Sequence, residues 1–267
     1  MRTWKQVGLL AAWLVSALCA GCGSSEQANT TAVAPVRLGT LSGGPVPMAA
    51  SRITLIRYEG IVKGDFDKLA ADTDNNGLYH ALGATLAARG FAWQYCATGE
   101  PESVQGQALG AFQRAADTWN AAVPGGGLYS VSDGGAGTAA QDGVNSIGWS
   151  TQWGRNWPAA QISLHVRNNL IVGADILFNA RIKWAVSPLI TPGEARMGPI
   201  KAWDVQSVAT HEFGHALGLD DVTHDDLKQD PSVRDATMFY ELQEGELAPQ
   251  TLTHGDIAGA VALAPAP

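Results

Sequence analysis

His211-Glu212-Phe213-Gly214-His215-Ala216-Leu217-Gly218-Leu219-Asp220-Asp221 is the stretch on which the fold and the chemistry of this chain turn. On an α-helix, positions i and i+4 share a face, so His211 and His215 can point at one ion. Glu212 stands one step round, near enough to reach a water held by that ion. A zinc site that does chemistry takes nitrogen, sulfur or oxygen donors in tetrahedral array and keeps one position open. Two imidazoles do not complete such a site. Gly218 falls where the helix should end, because glycine takes the left-handed conformation that turns the chain sharply. The chain then doubles back, and Asp221 is the third donor this predicts. His224 and Asp220 are the alternatives, and a distant Glu241 or Glu244 on a further helix would make a different kind of site.

Outward from this stretch, apolar spacing predicts a helix over 205–217 with Asp204 as its N-cap. A last helix follows Thr253, where Thr253 and Asp256 have capping-box spacing. Upstream, Val104, Leu109, Phe112, Ala116 and Trp119 recur at near-helical intervals, so 103–122 reads as an amphipathic helix stopped by the Pro/Gly run at 124–127. Strands are expected over 51–58, 90–95, 128–132, 145–150 and 171–178, separated by Gly-rich turns. The segment 78–88 reads as helical. There are no internal repeats.

The 267 residues suffice for one sizeable domain with extras, and 46% hydrophobic against 16% charged residues suits a globular chain. A formal net charge of −8 leaves no basic excess to neutralise phosphates, which argues against a nucleic-acid partner. Arg2 and Lys5 precede an apolar run over 7–20 that is too short for a permanent span and has the layout of an export signal. The run ends Cys19-Ala20-Gly21-Cys22 and resembles the lipobox of bacterial lipoproteins, departing from it at Cys19. That resemblance implies cleavage before Cys22 and lipidation of its thiol. The expectation is a signal over 1–21, a Ser/Thr/Ala/Gly/Pro-rich tether over 22–50, and a protein anchored by lipid at the bacterial cell envelope, or secreted if it is not lipidated. Only Cys96 then remains as a thiol, so no intramolecular disulfide is expected. Residues 51–102 read as a propeptide-like region, a small separate subdomain or an extension of the main domain. Within them Asp72-Thr73-Asp74-Asn75-Asn76-Gly77 resembles the start of a calcium loop, but the twelfth position is Gly83 where such a loop needs a bidentate carboxylate, so an Asx-rich turn is favoured over Ca2+ binding.

The His211–Asp221 stretch resembles the metzincin metallopeptidases, the matrixin branch most closely. Their motif has Gly at the eighth position, as Gly218 is here, and usually His at the eleventh, where this chain has Asp221. Further stretches resemble that branch in the right order. Residues 108–120 look like its first helix, 142–149 like the strand after a long surface loop, and 173–179 like the edge strand above the cleft. Residues 252–260 look like the entry to the final helix. Ala236-Thr237-Met238-Phe239-Tyr240 resembles the Met-turn, which places Met238 beneath the metal. The Met-x-Tyr spacing is closer to the astacin and serralysin branches and implies that Tyr240 can donate a hydrogen bond to an oxyanion.

The resemblance implies an α+β metzincin-type zincin: a twisted, mostly parallel sheet with two helices, then a small C-terminal subdomain with a final helix, over 103–267. It implies one catalytic Zn2+ on His211, His215 and Asp221, with Glu212 as general base in hydrolysis of protein or peptide substrates by a monomer. No histidine-rich loop for a second zinc is apparent. Cys96 lacks the surroundings of a latency cysteine and reads as a buried, inert thiol. The competing reading is a non-catalytic surface lipoprotein that keeps the fold for adhesion or structure; Glu212 disfavours it, since a structural zinc site needs no base.

Overall fold

The computed structural model describes residues 79–137, 142–190, 197–198 and 201–267, with the backbone of 50–52 and 56–59. Cys22, the tether and the calcium-like stretch at 72–77 lie outside the described residues. Seven strands form the main sheet: β1 (Ile56–Glu59), β2 (Thr85–Leu86), β3 (Phe91–Tyr95), β4 (Tyr129–Asp133), β5 (Asn145–Ser150), β6 (Ala160–Arg167) and β7 (Leu170–Asn179). Their order is β1-β6-β7-β5-β3-β4, with β2 beside the start of β7. All neighbours are parallel except β6 and β7, an antiparallel hairpin that turns at Asn168 and Asn169, φ 53° and 60°. Asparagine tolerates that left-handed pair better than most residues, and the primed turn it forms matches strand twist.

Four helices accompany the sheet: α1 (Ala108–Ala122), α2 (Val205–Leu217), the short α3 (His224–Gln229) and α4 (His254–Leu263). The expected α+β architecture with a mostly parallel sheet is therefore present. One sheet face is aromatic. Phe112 of α1 meets Tyr95 and Phe178 at ring separations of 5.1 Å each, and Phe213 of α2 meets Trp93 at 5.2 Å and Tyr129 at 5.3 Å. This alternation puts Ile176 and Phe178 of β7 in the core and turns Asp175 to the other face, where it joins Ser146 and His165.

Four expectations change. The 78–88 segment is not a helix. His80–Ala81 pairs antiparallel with Leu219–Asp220, Gly83 has φ 73°, and Leu82 N–H donates to Gly218 O at 2.8 Å. Long-range pairing there overrides a helical apolar pattern. The 103–122 helix begins only at Ala108, because Gly106 (φ 74°) separates it from a 3₁₀ turn at Glu102–Val104. Residues 173–179 are not an edge strand: β7 lies between β6 and β5, and the outer side of β6 carries β1. The expected 51–58 strand is two pieces, Ala50–Arg52 against Glu241–Gln243 and β1 in the main sheet. β3, from the stretch whose status the sequence left open, is an interior strand of that sheet.

Candidate metal centre

Every residue of α2 is buried, so both its polar ends and its polar side chains need partners. Asp204 is the N-cap, accepting from Ser207 N–H at 2.9 Å and Ser207 Oγ–H at 2.8 Å. Gly218 closes the helix at φ 111°, its N–H reaching the carbonyls of Gly214 and His215. A Cβ on Gly218 would stand 2.3 Å from Ala84 O, so the position needs glycine for space as well as for conformation.

The reversal after Gly218 brings three side chains to one point. His211 Nε2 and His215 Nε2 are 2.9 Å apart, and Asp221 Oδ1 lies 3.3 Å and 3.5 Å from them. Donors at zinc bond lengths and tetrahedral angles stand about 3.3–3.5 Å from one another. The observed triangle is close to that, and among the described residues it is the one group of three such side chains able to hold a metal ion. Each imidazole is fixed from behind. His211 Nδ1–H donates to Thr237 O and His215 Nδ1–H to Leu219 O, both at 2.8 Å, which turns each Nε2 lone pair inward.

Electrostatics bind the three together. Burial pulls the His211 pKa down, and the neighbouring His215 adds to this. Burial acts on His215 too, but hydrogen bonding and charge from Asp221, with the charge of Glu212, outweigh it and raise its pKa. Burial would raise Asp221, yet its hydrogen bonds to both imidazoles leave its pKa far below the usual carboxylate range. The anionic Asp221 thus favours positive charge on His215 over His211.

Glu212 is fully buried on the same helix. Met238 is also fully buried, and Gly214 is what admits it: a Cβ there would be 2.2 Å from Met238 Sδ and 2.9 Å from Trp119. The sulfur therefore packs against the helix turn between the two histidines. Tyr240 is outside the ligand group, and its hydroxyl is bonded to His224 Nδ1. His224 stacks edgewise on Phe239 and has Nε2 3.8 Å from Glu241, so it serves this neighbouring cluster and does not join the two histidines. Asp220 Oδ1 accepts from Asp221 N–H at 2.8 Å, and Glu244 is exposed. Cys96 is buried and free.

Asp256 has a role that its capping-box spacing did not reveal. It accepts from Thr253 as expected, and also from Thr237 N–H at 2.9 Å and Met238 N–H at 3.2 Å. A buried carboxylate on α4 thereby fixes the carbonyl that orients His211. No family model and no curated protein matches the chain.

Proposed function

We propose that this protein is a zinc-dependent peptidase of the metzincin type, exported and lipid-anchored through Cys22. The observation that carries the reading is the convergence of His211, His215 and Asp221 on one point, with both imidazoles braced by carbonyls and Glu212 on the same helix turn. A purely structural site would be served by the three ligands alone.

Two neutral imidazoles and one carboxylate suit a borderline ion such as zinc, which when bound polarises a carbonyl and brings the pKa of water to about 7. Glu212 takes the proton of the attacking water and delivers it to the leaving amine. Its burial makes that transfer efficient, because few waters compete for the proton. Tyr240, held by His224, is the candidate donor to the developing oxyanion. Met238 and Asp256 position the ligand histidines.

The test is metal content and peptide cleavage by the purified protein, beside Glu212→Gln. The expected result is one zinc per chain in both, with cleavage abolished by chelation and reduced in the variant by at least about a hundredfold. Equal turnover by the two forms removes Glu212 from its role. Zinc without cleavage in either form favours the structural or adhesive lipoprotein.

A further inference from the structure

A second concavity, outside the metal centre, has a composition at odds with the rest of the chain. It is a groove of about 770 Å³ between the start of β6, the segment after β7 and the loop that follows the Met-turn. Arg155, Arg181, Lys183 and Lys201 line it, against the single carboxylate of Glu244. In a chain of net charge −8, with 17 Lys and Arg in all, four cations against one carboxylate among the described residues around one groove depart from the average. Among the described residues none of these four side chains has a hydrogen bond or ion pair. All four are exposed and present their charge to solvent.

The groove also holds aromatic surface in water. Trp157 is 49% exposed and stacks on Trp153 with ring centroids 5.4 Å apart. Ile182, Met197 and Trp203 add apolar lining. An aromatic kept in the open beside apolar and cationic groups is the composition of a recognition surface.

We infer that this groove binds an acidic segment of a polypeptide, its carboxylates on Arg155, Arg181, Lys183 and Lys201 and its apolar side chains on Trp157. The lining favours a polypeptide over a sugar polymer. Sugar hydroxyls need acceptors as well as donors, and the four cationic heads, which accept nothing, outnumber the acceptors of Gln243 and Glu244. A lining of cationic and apolar side chains matches acidic and apolar side chains in the bound segment.

The groove's place in the fold links it to the metal centre. Trp203 lines it and runs directly into the N-cap of α2. His211 and His215 lie six and ten residues beyond Val205, about 9 and 15 Å along the helix. The captured chain would then be the substrate, which rests on the peptidase reading; the capture itself does not.

The experiment uses the full chain carrying Glu212→Gln, so that nothing is cleaved. A fluorescein-labelled peptide of alternating glutamate and leucine is titrated by anisotropy, beside its glutamine–leucine counterpart and a sulfated oligosaccharide. The acidic peptide should bind, more weakly as salt rises, and Arg155→Glu with Lys183→Glu should weaken it about tenfold or more. Trp157→Ala should weaken it as well, with circular dichroism unchanged for all variants. Equal affinity for the two peptides, or none lost on charge reversal, overturns the proposal. Tighter binding of the oligosaccharide overturns the choice of a polypeptide. Cleavage without acidic-peptide binding would sink the groove alone; binding without cleavage in the wild type would sink the peptidase reading alone.

Discussion

Gly214 shows how one missing side chain sets the geometry of a site. Its helix would gain about 1 kcal/mol from alanine on propensity alone. Against that, the new methyl would lie 2.2 Å from Met238 Sδ and 2.9 Å from Trp119, both fully buried and without room to withdraw. Overpacking of this kind costs about 1–3 kcal/mol, so the clash wins. Gly214→Ala should therefore lower the urea midpoint and reduce zinc content at a fixed free metal concentration. A variant as stable and as well loaded as the wild type would show that Met238 has freedom this packing denies it. Asp256 acts one bond further out. Asp256→Asn keeps the size but replaces one acceptor oxygen by a donor, facing N–H groups of Thr237, Met238 and Thr253. Groups that orient metal-ligating histidines are worth about 10–100-fold in affinity, and a residue that acts through Thr237 belongs at the lower end, about tenfold. Chelator competition with the folded variant measures this directly, and an unchanged constant would confine Asp256 to helix capping.

At the scale of elements, β1 matters most. An extended substrate recognised by main-chain pairing needs an open strand edge. The antiparallel strand β6 has its outer edge paired in parallel with Ile56–Glu59. On the peptidase proposal, a form of the protein lacking residues up to 59 should therefore cleave long peptides with kcat/KM higher by about tenfold or more, with little change for a dipeptide amide that does not reach the edge. An unchanged ratio between long and short substrates, in a form that unfolds at the same temperature, would mean that β6 is not where substrate pairs. β6 lies outside the strands expected from sequence, although Ile162, Leu164 and Val166 alternate and are buried. The signal was present; the Asn168-Asn169 turn that marks its end carries no glycine and was not taken as a hairpin. By contrast α2, with Asp204 before it and Gly218 after it, was legible to the residue, because caps and apolar period agree there. The pairing of 80–86 was not legible. It depends on Gly218 and β7, which are distant in sequence, and local spacing cannot report a partner 85 or more residues away. For the same reason the convergence of His211, His215 and Asp221 was readable from one short stretch, whereas Asp256, arriving from another helix, was not.

At the scale of the molecule, the three converging side chains tie α2, the reversal after it and, through Thr237, the 236–240 turn and α4 to one point. An ion there stabilises the native state in proportion to its binding, by about 4 kcal/mol at a thousandfold excess over Kd. Protons compete for the same lone pairs. In the metal-free protein the raised pKa of His215 gives a stability that is fully present below the ordinary histidine value and lost as pH rises through the raised one. His211, with a lowered pKa, has the opposite sign and penalises the protonated state as pH falls below the ordinary histidine range. Asp221 stays ionised through this range because its pKa is depressed, so its carboxylate remains ready for the metal while the imidazoles lose theirs. A metal ion must displace a proton from His215 below its raised pKa and need not do so above it. The gap between the Tm of zinc-loaded and zinc-free protein should accordingly be small in mild acid, widen as pH rises through the histidine range, and level off beyond it. Calorimetry at a fixed free zinc concentration from pH 5 to 8 resolves the two curves. A gap that stayed constant across that window would mean that the imidazoles are not what holds the ion.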